Sequence, residues 1–315
     1  GADTKKYEDL DSLLNKTAVD TGDLISGKYD NVLLKQWIRN TDTAALLNIV
    51  DAFKCKELFK DKTTAYSYEE ISQALEVLPK FQPLLRRMVN ALEAEGFIVP
   101  VSVPDTYVLT DKIDSYDVES FKEQMRLTEE KIKNNSVLID YLSNDGSLMT
   151  KLFNGEKEPL EFIYPKGSVE NALSAYRDNI FVKTLNGAII KSIETAADEL
   201  SKKKGDVPVR ILEPGAGVGG TSRDLITNLS SKNIEYHFTD ISAFFLNEAK
   251  KVFSDYDFIK YQIFDINKSY LQQNYKQNTF DIIICANVLH NAADGAKTLK
   301  ALSEMLVPNG YLFII

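Results

Sequence analysis

Apolar residues fall into two rhythms along this chain, and the rhythm changes near residue 205. Ahead of that point they recur at helical spacing. Residues 44–59 carry Leu46, Leu47, Val50, Phe53 and Leu58 as one stripe, and residues 81–95 carry Leu84, Leu85, Met88, Val89 and Leu92 as another. Between them Ser67-Tyr68-Glu69-Glu70 has the form of a capping box and opens a helix through Leu75. Past Gly96, the apolar runs Phe97-Ile98-Val99 and Tyr107-Val108-Leu109 flank Pro104-Asp105 and predict a two-stranded wing. Residues 121–134, with Lys122, Glu123, Arg126, Glu129, Glu130, Lys131 and Lys133, read as a solvated linking helix.

Beyond residue 205 short apolar runs alternate with amphipathic stretches. Val209, Ile211 and Leu212 form a strand that meets Glu213, then Gly215, Gly217 and Gly219, then a helix over 221–229. Tyr236 to Thr239 ends at Asp240 and is followed by a helix with Phe245, Ala249 and Val252 on one face. Two more strands, 258–264 and 280–286, end at Asp265 and Asn287. A helix carrying Leu299, Leu302 and Leu306 stops at Pro308-Asn309-Gly310, and Tyr311 begins a fifth strand. Largely apolar strands separated by helices predict an α/β fold, a parallel sheet covered on both faces. Ligands of such sheets sit beyond the carboxyl ends of the strands. Glu213, Asp240, Asp265 and Asn287 are therefore expected to line one crevice.

Composition narrows the setting. With 315 residues, 44% hydrophobic and 26% charged, the chain has room for one large or two ordinary domains with a core. A net charge of −9 argues against general affinity for nucleic acid or anionic membrane. Two cysteines, Cys55 and Cys285, make no disulfide framework, so a reducing cytoplasm is expected. No apolar run reaches membrane-spanning length and no signal-peptide pattern opens the chain. The start at Gly1-Ala2 and the stop inside an apolar run at Ile315 read as a piece of a longer polypeptide.

The crevice has a chemistry of its own. Glycines at every second position let the backbone turn sharply and approach a ligand closely. An acid at the strand end would repel a pyrophosphate but suits a ligand with a cationic end, which points to S-adenosylmethionine rather than a dinucleotide. Asp240 can accept from both ribose hydroxyls. Asp265 can accept from the adenine amino group while Phe264 or Ile266 packs on the ring. Each acid taken alone also reads as a helix cap or turn residue. His290, in the loop after the fourth strand, has the position of a general base or of a loop hydrogen-bonder. His237 sits mid-strand, as a hydrogen-bonded core or interface residue would. With two histidines and no Cys/His cluster, no metal motif is visible, although a carboxylate site stays open.

These residues resemble a known family. Glu213-Pro214-Gly215-Ala216-Gly217-Val218-Gly219-Gly220-Thr221 looks like the first motif of class I methyltransferases. Phe238-Thr239-Asp240-Ile241-Ser242 with Phe245-Leu246 and Ala249, then Asn287-Val288-Leu289-His290, resemble C-methyltransferase domains of modular polyketide synthases and their peptide-synthetase hybrids. Upstream, Leu152-Phe153-Asn154-Gly155, Pro159-Leu160-Glu161-Phe162, Tyr164-Pro165-Lys166-Gly167-Ser168 and Tyr176-Arg177-Asp178 with Asn186 are similar to the segment leading out of that family's helical lid. The resemblance implies a Rossmann-like core without its final strands. It implies S-adenosylmethionine contacts from Glu213, Gly215, Ala216, Gly217, Asp240, Ile241, Asp265, Ile266 and Asn287. His290 would be the base, with Asn287 near the methyl donor, and Tyr176 and Asn186 at the mouth facing substrate. The family's glutamate after the fifth strand would come where this sequence stops.

Residues 1–170 are expected to form a helical, winged-helix-like lid and residues 171–315 the cofactor-binding core. A DNA-binding reading of the wing would rest on Arg86 and Arg87, a poor footprint in an acidic chain. The expected function is α-carbon methylation of an acyl thioester on the phosphopantetheine arm of an acyl carrier protein, beside other synthase domains. An oxygen or nitrogen methyltransferase of the same fold, or an inactive scaffold domain, are the alternatives.

Overall fold

A 24-residue helix, α1 (Asp3–Ser26), opens the chain. The computed structural model describes residues 3–132, 146–159, 161 and 169–315. They divide into two units: residues 1–28 with 176–315, and residues 29–175.

The second of these runs α2 (Asn31–Cys55), β1 (Tyr66–Ser67), α3 (Tyr68–Ala74), α4 (Gln82–Ala94), β2 (Ile98–Pro100), β3 (Thr106–Leu109), α5 (Val118–Ile132) and α6 (Ser147–Phe153). Asp30 caps α2 by accepting from the amides of Val32 and Leu33, and the capping box of α3 closes between Ser67 and Glu70. Such caps satisfy amides that the helix leaves orphaned, worth about 1 kcal/mol each. The wing has three antiparallel strands in the order β1-β3-β2, so the two expected strands gain a third at Tyr66–Ser67. Phe53, Phe59, Ile71, Leu85, Val89, Leu92 and Phe97 fill the core beneath it. Leu84, expected inward, is 44% exposed, because the buried face of α4 is the narrower stripe Leu85, Val89 and Leu92.

The linking helix also departs from expectation. Glu123, Arg126, Glu130 and Lys131 are exposed, but Met125, Thr128, Glu129 and Ile132 are buried. Glu129 accepts from the indole N–H of Trp37 on α2 at 3.2 Å. A carboxylate beside an indole donor can be buried at tolerable cost, which a tally of charges along the sequence does not register.

The other unit continues with α7 (Ile180–Lys204), β4 (Val209–Glu213), α8 (Ser222–Leu229), β5 (Ile234–Asp240), α9 (Ala243–Val252), β6 (Ile259–Ile263), β7 (Phe280–Cys285), α10 (Gly295–Met305) and β8 (Leu306–Ile314). Its five strands are all parallel, in the order β6-β5-β4-β7-β8. Alternation along each strand divides the core in two. Ile211, Tyr236, Phe238, Ile282 and Ile284 serve one cluster, and Leu212, Ile283 and Cys285 serve the other. Asp281, the polar exception in β7, is buried and accepts from Lys204 Nζ at 2.6 Å and the Arg210 amide at 2.8 Å.

Two boundaries move. Residues 1–28, expected within the lid, group with the core, because Leu10 and Leu14 of α1 pack with Ile190 and Ile193 of α7. The last helix stops at Met305, three residues before Pro308, and Leu306 already pairs with Phe280. Tyr311 pairs next, with Ile282, so the four residues between bulge outward through Asn309 at φ +61°.

Candidate functional site

The strand ends and the loops that follow them meet on one edge of the parallel sheet. The glycine turn after β4 is held to β5 by three contacts. The Ala216 amide donates to the Thr239 carbonyl at 2.9 Å, the Thr239 hydroxyl donates to the Glu213 carbonyl at 2.8 Å, and the Gly217 amide donates to Asp240 Oδ2 at 2.9 Å. Gly215 and Gly217 adopt φ of +62° and +55°, a region that side chains with a Cβ seldom enter. Their surroundings differ. A Cβ on Gly215 would lie 2.3 Å from Val288 Cγ2, whereas one on Gly217 would meet only the Gly215 carbonyl at 3.9 Å. The first glycine serves packing; the second leaves open room beside Asp240.

Asp240 is 6% exposed. Burial raises its pKa above the usual carboxylate value, and the amides of Ser242, Gly217 and Ile241 oppose that rise. Oδ1 accepts from the Ser242 amide at 2.8 Å, so backbone amides hold the carboxylate in place beside Gly217. Ile241, the next residue, is 69% exposed.

Glu213 is not where the sequence reading puts it. It is 1% exposed, and its Oε2 accepts from Ser222 Oγ at 2.5 Å and from the Tyr236 hydroxyl at 2.6 Å. The acid lies beneath the turn rather than lining the crevice. Burial pushes its pKa up despite those two donors.

Asp265 is half-buried. Its carboxylate accepts from the Asn267 amide at 2.9 Å and pairs with Lys268 at 3.2 Å. The Asn267 amide is the main reason its pKa falls below the usual range. Gln273 fastens its main chain from both sides, at 2.7 and 3.0 Å. Phe264 is committed to the core at 3% exposure, which leaves Ile266 of the two expected ring partners.

Asn287 stands at φ +55° just past β7. His290 follows in a 3-10 turn, Leu289–Asn291, and is exposed. Asn267 ties this loop to the one after β6, donating to the Asn291 carbonyl at 3.1 Å and accepting from the Ala293 amide at 2.7 Å. Tyr176 is 40% exposed in a π turn, Ser174–Asp178. Asn186 does not reach the mouth as expected: it is 4% exposed, under the Tyr176 carbonyl. His237 is 9% exposed, with Glu235 Oε1 2.9 Å from Nε2 and Gln262 Oε1 3.3 Å from Nδ1.

Several residues that shape the site escaped the sequence reading. Val288 blocks Gly215, Ser222 and Tyr236 hold Glu213, and Asn267 and Gln273 build the loop after β6. Asp265-Ile266-Asn267 carries the Asx-turn pattern that could have flagged Asn267. Tyr236 and Val288 act across the sheet and leave no local signal. Leu160 and Phe162 of the upstream stretch Pro159-Leu160-Glu161-Phe162 and all of Tyr164-Pro165-Lys166-Gly167-Ser168 lie outside the described residues.

Asp240 and the open room at Gly217 thus lie side by side at the end of the sheet. Among the described residues, no group of three or more His, Cys, Asp or Glu could hold a metal ion. Nor is any described helix long and apolar enough to cross a membrane.

Residues 212–312 match the family of methyltransferase domains. The chain is 30% identical over 171 residues to the reducing polyketide synthase BOA6 of Botryotinia fuckeliana, an alignment covering 54% of this chain and 7% of that protein. It is 39% identical over 110 residues to the methyltransferase calH of Penicillium decumbens, covering 33% of this chain and 30% of the relative. The chain thus spans a small part of the curated relatives it matches. Its fold is that of the CurJ carbon methyltransferase, with a TM-score of 0.82 at 24% identity over 96% of this chain and 78% of that one.

Proposed function

We propose that this chain, whose residues 212–312 are a methyltransferase domain, transfers the methyl group of S-adenosylmethionine to the α-carbon of a (β-keto)acyl thioester carried by an acyl carrier protein. The observation that carries the reading is the Asp240 carboxylate holding the Gly217 amide at 2.9 Å, beside a glycine with open room where a Cβ would stand. That arrangement offers acceptor lone pairs and a bare backbone to one nucleoside-bearing ligand. Glu213, buried below, contributes the rigidity of the turn through Ser222 and Tyr236. Ala216, Ile241, Asp265, Ile266 and Asn287 complete the proposed cofactor contacts.

S-adenosylmethionine, when bound, supplies an electrophilic methyl group on its sulfonium. The chain's own part is to prepare the acceptor. The α-proton of a β-ketoacyl thioester is acidic because the enolate spreads over two carbonyls. An exposed imidazole at His290 is free to take that proton, a task worth roughly 10²–10⁴-fold. Asn287 and Tyr176 orient the acceptor beside it. Holding the two reactants together supplies much of the remaining acceleration.

Carbon as the acceptor is supported by the shared fold with the CurJ carbon methyltransferase, and a synthase setting by relatives such as BOA6. The carrier, the neighbouring synthase domains and the cytoplasm belong to the same proposal. The test is incubation with ¹³C-methyl-labelled cofactor and a panel of acyl-carrier substrates, followed by intact mass and NMR. Label on the α-carbon supports the reading. Label on oxygen or nitrogen replaces the acceptor, and no label on any substrate leaves the scaffold reading.

A further inference from the structure

Ile25 near the end of α1 and the Tyr176 carbonyl both meet one turn of α7. Asn186 donates Nδ2 to the Tyr176 carbonyl at 3.2 Å and accepts the Thr221 hydroxyl on Oδ1 at 3.3 Å. Gly187, the next residue, leaves a space that the Ile25 side chain of α1 fills; a Cβ there would lie 2.3 Å from Ile25 Cδ1. On the glycine turn, a Cβ on Gly220 would lie 2.8 Å from the Tyr176 carbonyl. The end of α1, the π turn bearing Tyr176 and the glycine turn therefore converge on Asn186 and Gly187.

The chemistry of this junction asks for an asparagine. One short planar group must donate to a carbonyl and accept from a hydroxyl, with Asn186 at 4% and Thr221 at 3% exposure. Aspartate would set an acceptor against an acceptor, and leucine would leave a buried hydroxyl and carbonyl unpaired. A single π turn is itself a rare conformation that needs outside support.

We propose that Asn186 is a positioning residue: with Gly187 it forms a clamp that sets Tyr176 against the glycine turn, and it touches neither cofactor nor acyl chain. The inference rests on the methyl-transfer reading only for what Tyr176 does once placed.

The test compares wild type with Asn186→Asp, Thr221→Val and Gly187→Val, using peptide-level hydrogen exchange and calorimetry with S-adenosylhomocysteine. The clamp predicts that amides at 176–179 and 215–221 exchange faster together, by about tenfold, the effect of roughly one lost buried hydrogen bond. Wing amides at 98–109 keep their rates, and S-adenosylhomocysteine affinity falls by about three- to tenfold. A lower Tm with unchanged affinity and unchanged exchange in both segments would overturn it, as would acceleration of one segment without the other. Thr221→Val removes one hydroxyl and gives the same reading should Asn186→Asp fail to fold. A wild type that takes up no S-adenosylhomocysteine defeats the cofactor reading, while the exchange measurement still decides the clamp.

Discussion

The side chain of Val288, just past β7, occupies the place where a Cβ on Gly215 would stand, 2.3 Å from its Cγ2. The glycine turn after β4 and the loop that carries His290 are thereby packed into each other. Gly215→Ala should cost about 1–2 kcal/mol for a Cβ in left-handed backbone, plus about 1–3 kcal/mol for the overlap. Adding Val288→Ala should recover the overlap but not the backbone cost, a non-additivity that thermal unfolding of the three variants measures. Additive losses would mean the two residues are not in contact.

Glu213 offers a pH test. Its folded pKa is raised by burial, so its contribution to stability is complete below the ordinary value of 4.5 and is lost as pH rises through the raised value. Glu213→Gln keeps an acceptor for Ser222 and Tyr236 and has no charge to bury. Its Tm relative to wild type should therefore climb as pH increases above about 4.5. A pH-independent Tm difference would contradict the buried, ionisable acid.

His290→Gln should bind S-adenosylhomocysteine like wild type, because the imidazole is exposed. Methyl transfer to a carrier-bound substrate should fall by roughly 10²–10⁴-fold. Full activity in single-turnover assays would remove His290 from the mechanism.

The wing should not retain duplex DNA. Arg86 forks onto Asp105 at 2.5 and 2.7 Å and lies over the Tyr68 ring at 3.4 Å, so one of its two candidate phosphate contacts is already spent. Arg86→Leu should lower Tm slightly, since a half-exposed ion pair contributes about 0–1 kcal/mol. Gel retardation of duplex DNA at physiological salt would reverse this view of the wing.

What could be read from the chain before folding was the part encoded locally. The strand-helix alternation, the glycine spacing and the strand-end acids all sit within short windows, and β4 through β7 fall close to where those windows put them. The misplacements share a cause. Glu213 looks like a strand-end ligand group until Tyr236, 23 residues away, brings a hydroxyl to it. Glu129 looks solvated until Trp37 arrives from 92 residues upstream. Helix α1 shows little apolar content, yet Leu10 and Leu14 pack with α7 and Ile25 fills the space at Gly187. Asn186 is polar by type and buried by partners that only the fold supplies. Periodicity reports which face is apolar, not which distant group will satisfy a polar one.

The central claim is that a nucleoside binds where Asp240 meets Gly217, and calorimetric titration with S-adenosylhomocysteine addresses it most directly. Wild type should bind one equivalent, and Asp240→Ala should bind about tenfold or more weakly, the scale of one lost charge-assisted contact. No heat from wild type, or equal affinity in both proteins, would contradict the assignment.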